Sequence, residues 1–313
     1  MAELLLRGTR FAWHRPLVMG ILNANADSFS DPGARTVEAV VDRALALVAA
    51  GAGALDVGAQ SAITRRPPVD PAVEAAAVAP VVRAVAERCP GVLVSVDTFK
   101  AAVVEAALDA GAHLVNDVSG LRDPTVARLC AGAGAGLVVM HTAAPPLTRL
   151  QDPGLYGDVG REVAAFLAER IAGAVAAGVD PGSIVVDPGV DFTKTPAQTV
   201  DLLRDLGPVV DLGRPVLLAL SRKDFVGALT GRPPAERDAG TLGAVAALRH
   251  VPDQILRVHD VAATVDMLAV LDVLSGEEPA PAGLMLPEEL RHQPPAGGGL
   301  SGRERGGGSS RPR

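Results

Sequence analysis

The stretch Val216 to Phe225, VLLALSRKDF, gathers more reactive chemistry than any other short segment of the chain. Five apolar residues without polar alternation predict a strand buried on both faces, and it ends at once in Ser221, Arg222 and Lys223. Two cations at such an end could merely solvate a loop. A second apolar run, Ile255 to Val258, delivers Arg257, His259 and Asp260 in the same manner, and two basic strand ends on one rim describe a phosphate site. Other apolar runs finish in carboxylates or amides: Asn23, Asp56, Asp97, Asn116 with Asp117, and Asp187. Each alone could cap a helix or open a turn. If all the strands point the same way, Asp97, Asn116, Asp187, Lys223, Arg257 and His259 converge on one cavity, acids on one side and bases on the other.

The elements that must position these groups repeat down the chain. Short apolar runs begin at Leu17, Ala54, Leu93, Leu114, Leu137, Ile184, Val216 and Ile255, which gives eight strands. Helical stretches are expected at Val73 to Arg88, Ala101 to Ala110, Thr125 to Ala131, Val159 to Ala177 and Gln198 to Leu206. A further helix starts at Thr36 as N-cap, with Val37, Val40, Val41, Ala44, Leu45 and Val48 on one face. Ala-Gly pairs at Gly51, Gly111 and Gly178 supply left-handed caps before the next strand. This alternation predicts a (β/α)8 TIM barrel over residues 1–274, and the lack of a GxGxxG after the first strand argues against an open dinucleotide-binding sheet. Ahead of it, Leu4 to Trp13 alternates loosely before Pro16, as a short N-terminal hairpin or edge segment would.

Composition narrows the partners. In a chain of 313 residues, 48% hydrophobic, a sizeable core can be buried, and a formal net charge of -7 argues against nucleic acid. Any anionic ligand must be held by a few local cations. Cys89 and Cys130 have no ligand spacing, which favours plain thiols in a reducing compartment. No apolar run reaches the ~18 residues of a membrane span, and the N-terminal residues lack an uninterrupted apolar core, so a cytoplasmic protein is expected. Residues 275–313 are rich in Pro, Gly and Arg and read as a disordered tail, with periodicity only near Leu286 to Leu290.

Seven segments together resemble the dihydropteroate synthase family. They are NANADSFSD from Asn23, SVDTFK from Ser95, VND from Val115, VVMH from Val138, DPGVDFTKT from Asp187, SRKDFVG from Ser221 and RVHDV from Arg257. The resemblance spans Pro16 to Leu274 and implies condensation of 6-hydroxymethyl-7,8-dihydropterin diphosphate with 4-aminobenzoate, releasing diphosphate. It further implies that Asp97, Asn116 and Asp187 read the pterin edge and that Lys223 bonds the ring carbonyl and its neighbouring nitrogen. Arg257 and His259 would take the diphosphate as cationic partners, with Asn23 holding Mg2+, and Asp97 and Asp187 would stabilise the cationic carbon. Ser221, Arg222 and Met140 belong to the substrate-binding segments, while Phe192 and the Ser28 to Ser30 loop would enclose the arylamine. The family also implies a homodimer that pairs barrels through helices.

The chain departs from the family pattern in three places. Ala24, Asn25 and Ala26 replace the usual Val-Thr-Pro after the first asparagine, and Ala59 to Pro68 alters and lengthens a loop that normally reads Gly-Glu-Ser-Thr-Arg-Pro-Gly. Within that loop, Ser61, Thr64 and Arg65 are the candidate substrate contacts, with either hydroxyl able to take the loop role. Asp191 and Thr193 replace glycines beside Phe192. A carboxylate there would repel aminobenzoate if it faced the pocket, and would cost nothing if it pointed away or paired with Lys194 or Arg65. Two other functions therefore stand beside synthase activity: a divergent pterin-binding homologue with weak, altered or absent turnover, and a folate-dependent methyltransferase. The methyltransferase needs no diphosphate site, so SRK and RVHD count against it.

Overall fold

The computed structural model describes residues 2–24, 36–59 and 68–291. Met1–Leu271 forms one compact unit and Asp272–Arg313 a second. The chain opens with an antiparallel hairpin, β1 (Ala2–Leu6) and β2 (Thr9–Trp13), before the repeating pattern begins. There follow β3 (Leu17–Asn23), α1 (Val37–Ala49), β4 (Ala54–Gly58), α2 (Pro71–Arg88), β5 (Leu93–Asp97), α3 (Ala101–Asp109), β6 (Leu114–Asp117) and α4 (Pro124–Ala133). The second half continues with β7 (Gly136–Met140), α5 (Val159–Ala176), β8 (Ile184–Asp187), α6 (Pro196–Arg204), α7 (Gly207–Val210), β9 (Val216–Leu218), α8 (Asp224–Thr230), α9 (Asp238–Ala247), β10 (Gln254–Val258) and α10 (Val261–Ser275). Parallel pairing closes a barrel in the order β10-β3-β4-β5-β6-β7-β8-β9, which is the expected (β/α)8 architecture.

Strand alternation sorts the side chains by height as well as by face. One residue from each barrel strand, Met19, Ala54, Leu93, Leu114, Val138, Val185, Leu217 and Ile255, joins a buried apolar layer inside the ring. Their sequence neighbours, such as Val94, Val115, Val186 and Leu256, pack outward against the helices. Two residues beyond the inner apolar layer come Asp56, Ser95, Asn116, Asp187 and Arg257, so the interior is apolar at one end and polar at the other. The hairpin completes the apolar end. Leu4, Leu6, Phe11 and Trp13 pack into that same inner cluster, so the segment expected only to precede the fold is the floor of the barrel.

Two details differ from sequence expectation. The five-residue strand at Val216 pairs only through Leu218; Ala219 and Leu220 stay buried outside the ladder, and the chain turns at Arg222, whose φ is +60°. On α1 the buried face is Val40, Val41, Ala44 and Leu47, while Val37, Leu45 and Val48 are half-buried at its margins. Thr36 does cap this helix, accepting from the Ala39 N–H, and Gly51, Gly111 and Gly178 take the positive φ expected of them. No helix among the described residues is long and apolar enough to cross a membrane. In the second unit, the residues from Gly276 to Arg291 are mostly exposed with one 3-10 turn at Glu288–Leu290; the disorder expected after residue 291 lies outside the described residues.

Candidate active site

The polar end of the barrel is built around one guanidinium. Arg257, inward on β10, donates from Nε to Asp56 Oδ2 at 2.6 Å and from Nη2 to Asp97 Oδ2 at 2.7 Å. Asn116 Nδ2 donates to the same Asp56 oxygen at 3.0 Å. Strand register explains the grouping, since Asp97 pairs with Asn116 across β5 and β6, and Asp56 pairs with Ser95 across β4 and β5. The two carboxylates outnumber the guanidinium, and burial pushes the Asp97 carboxyl up to about 7, against the pull of Arg257. Asp56 was legible as an acid near a strand end; its position inside the strand and its pairing with Arg257 needed the barrel. Asp56 Oδ1, Asn116 Oδ1 and Ser95 Oγ are buried there without hydrogen-bond partners among the described residues. Unpaired acceptors in a barrel mouth are groups that water or a ligand's N–H edge can satisfy.

Asp187 stands across the mouth from this group on β8, level in register with the buried Met140 of β7. Its Oδ1 accepts from Gly189 N–H at 2.7 Å, and burial raises its pKa. Gly189 has φ +69°, and a Cβ there would stand 2.0 Å from the His141 carbonyl oxygen, so only glycine fits this turn. Behind it, Lys194 is fully buried and donates to His141 Nδ1 at 2.8 Å, the Gly189 carbonyl at 3.0 Å and the Phe192 carbonyl at 3.1 Å. Desolvation brings Lys194 down to about 7 and holds His141 far below the ordinary imidazole range. In the sequence Lys194 stands only as an alternative partner for Asp191 and His141 only as the end of the VVMH segment; the two lie 53 residues apart, and closing the barrel brings them together.

Lys223 reaches back over this loop. Its Nζ donates to the Val190 carbonyl at 3.0 Å and lies 4.5 Å from the centre of the Phe192 ring. Burial lowers its pKa, opposed chiefly by Asp191 and Asp187. Ser221 pairs with His259: Oγ accepts from the His259 backbone N–H at 3.3 Å and lies 2.9 Å from Nδ1. The hydroxyl has a second lone pair, so the direction follows the imidazole tautomer: with the proton on Nε2, Ser221 Oγ donates to Nδ1, and with it on Nδ1, Oγ accepts both bonds. Burial, Arg222 and Arg257 bring His259 down to about 4. His259 is therefore a neutral imidazole at pH 7, whereas the sequence leads one to expect a cation.

Two other residues are held by partners that the sequence did not name. Arg222 forms a two-point ion pair with Asp238 on α9, Nε at 2.8 Å and Nη2 at 2.9 Å, which holds it to the framework. With Arg43, His259 and Asp260 it also lines a cavity of about 280 Å³ between α1 and the start of α10, a setting that suits an anion. Asp191 is bonded to the framework of α6 and α8: its carboxylate accepts from the Asp224 and Phe225 backbone N–H groups and from Thr199 Oγ1. Asn23 ends β3 exposed, whereas Ser61, Thr64, Arg65 and the Ser28 to Ser30 loop lie outside the described residues.

This geometry has close counterparts. A family model described as pterin binding enzyme matches residues 19–259, from the first barrel strand to the imidazole after the last. A dihydropteroate synthase of Mycobacterium leprae is 44% identical over 265 residues, covering 81% of this chain and 92% of that protein. The Escherichia coli enzyme of the same name is 35% identical over 278 residues, 88% and 98% of the two chains. Among solved structures, Xanthomonas albilineans dihydropteroate synthase with 4-aminobenzoic acid has a TM-score of 0.79 at 40% identity and covers 89% of this chain and 99% of that one. The Xanthomonas enzyme in complex with 7,8-dihydropteroate has a TM-score of 0.77, at 40% identity and with 89% and 100% covered.

Proposed function

The chain belongs to the pterin binding enzyme family as a dihydropteroate synthase, a transferase, and from that premise we infer how its own residues carry the reaction. The substrates are 6-hydroxymethyl-7,8-dihydropterin diphosphate and 4-aminobenzoate. The observation that carries this reading is the set of orphaned acceptors on Asp56 and Asn116 beside Asp97, opposite Asp187. An amino-pyrimidinone edge offers the N–H donors these oxygens lack. Lys223 then supplies the matching donor to the ring carbonyl, and Phe192 forms a wall for the arylamine. The bond from the exocyclic carbon to diphosphate breaks with its electron pair leaving on oxygen. Asp97 and Asp187 stabilise the cationic carbon, the neutral aryl nitrogen bonds to it, and the proton is lost afterwards.

For the leaving group, the basic rim provides donors of two kinds. In its Nε2–H tautomer His259 offers a neutral hydrogen bond, and Arg257, already shared by two carboxylates, adds charge when diphosphate approaches. Among the described residues no group of three His, Cys, Asp or Glu side chains could cage a metal. Asn23 offers a single neutral oxygen, a donor set that fits Mg2+ entering on the diphosphate and keeping its phosphate and water ligands. There the ion would offset charge developing on the departing group.

Two further features belong to the same proposal. Leu229 on α8 and Val270 on α10 are large apolar residues exposed on the helical shell, in keeping with a homodimer that pairs barrels through helices. Cys89 and Cys130 are free and buried, in keeping with the cytoplasm. The reading is tested by following diphosphate release from the pterin donor with and without 4-aminobenzoate. Release that requires the arylamine is expected; pterin binding with no release under either condition would reduce the protein to a binding homologue.

A further inference from the structure

The loops after β8 and β9 are tied together twice, through contacts that the chemistry above does not use. In one direction, the Asp191 carboxylate accepts from the backbone N–H groups of Asp224 and Phe225, the latter at 3.3 Å, at the start of α8. The same carboxylate accepts from Thr199 Oγ1 on α6 at 3.0 Å, and the Asp191 N–H donates back to that hydroxyl at 3.3 Å. In the other direction, Lys223 Nζ donates to the Val190 carbonyl at 3.0 Å. Lys223 is thus held at its side-chain end by the residue before Asp191, and at the peptides that follow it by Asp191 itself. Asp191 has φ +63°, a left-handed conformation that disfavours side chains other than glycine, asparagine and aspartate. Such a residue persists when its surroundings over-determine it, and here three donors from two elements do so.

We propose that Asp191 is a positioning residue for the pterin subsite: its carboxylate locks the start of α8 to the β8 loop and thereby fixes the Lys223 ammonium above Phe192, beside Asp187. The proposal rests on the synthase reading, which makes Lys223 a pterin ligand. Without the lock, the backbone under Lys223 is free to shift, and pterin binding must order the ammonium each time. Charge acts in the same sense. Lys223 faces Asp187 and Asp191 from the β8 loop and Asp97 from β5, against Arg257 from β10 and Lys194 behind the loop. The three carboxylates hold its proton in place against burial and the two cations, so losing Asp191 lowers the pH at which that proton leaves.

The test compares the full-length parent with Asp191→Gly and Asp191→Asn in steady-state assays that vary each substrate separately and follow the pterin kcat/KM against pH. Loss of hydrogen bonds to a charged acceptor predicts a pterin KM about tenfold higher in Asp191→Gly. The aminobenzoate KM should not change, and the alkaline limb should move to lower pH. Asp191→Asn keeps an acceptor oxygen and tolerates the left-handed backbone, so it should restore most of the pterin KM while retaining the shifted limb. A parent-like pterin KM in the glycine variant overturns the proposal. So does a lower melting temperature or kcat with both KM values unchanged, which would mark a structural role. If Asp191→Gly fails to fold, an unshifted limb in Asp191→Asn overturns it equally. A parent that shows no pterin turnover defeats the synthase reading instead, a result visible before any variant is made.

Discussion

In the proposed mechanism, Asp97 is the residue on which binding and chemistry depend together. Its carboxylate must be ionised both to accept the pterin's N–H groups and to face a cationic carbon, yet burial raises it to about 7. In the free enzyme, protonation as pH falls through that value removes an acceptor and a negative charge at once. The pterin kcat/KM should therefore fall about tenfold per pH unit below about 7, a limb that reports the free enzyme. Asp97→Asn should abolish the limb and lower kcat/KM by roughly 10²-fold or more, as loss of a transition-state charge partner does. A profile of Asp97→Asn that keeps the parent's acid limb would assign the titration to another group. Much of this rim was legible in sequence, because acids and bases followed apolar runs at Asp97, Asn116, Asp187 and Arg257. Partnership was not legible: nothing in the order of residues says that Arg222 turns to Asp238, or that Asp56 and Asp97 share Arg257.

At the scale of elements, the turn after β8 shows why periodicity finds strands and misses supports. The strand from Ile184 to Asp187 is an apolar run and declares itself, whereas Lys194, seven residues past its last carboxylate, looks like any loop cation. Burial without solvent turns it into the pin that joins His141, Gly189 and Phe192. The same burial lowers it from 10.5 to about 7, which has a definite sign for stability. Between those pH values the unfolded chain binds the proton and the folded chain does not, so this site makes stability rise with pH across the window. Below about 7 both states carry the charge and the full desolvation cost is felt. Replacing Lys194 by Met removes the titration but leaves two carbonyls unserved. Urea midpoints of parent and variant should therefore diverge as pH rises from about 7 to 10, the parent gaining; parallel curves would mean that Lys194 keeps its proton when folded.

For the molecule as a whole, the two chain ends are expected to be unequal, although both look like appendages in sequence. Leu4 and Leu6 are fully buried, and Phe11 and Trp13 are 8% exposed, all four against the inner residues of the eight barrel strands. At about 1.5 to 3 kcal/mol for each large apolar side chain buried, the four contribute roughly 6 to 12 kcal/mol. That is the size of a whole domain's stability, about 5 to 15 kcal/mol. Deleting residues 1–13 would also leave Met19, Leu93, Leu114, Leu217 and Ile255 facing water at the open end. At the other terminus Leu284, Met285, Leu286 and Leu290 are each more than half exposed, and no comparable core is formed by the described residues there. A chain ending at Ser275 keeps all of α10 and should melt within a degree or two of the parent, with the pterin KM unchanged. The chain lacking residues 1–13 should fail to melt cooperatively at all, even though no residue of the active site has been touched. Circular dichroism melts of the two truncations decide the matter: if both resemble the parent, the hairpin is an ornament and the barrel floor closes some other way; if both collapse, the C-terminal segment also carries part of the core.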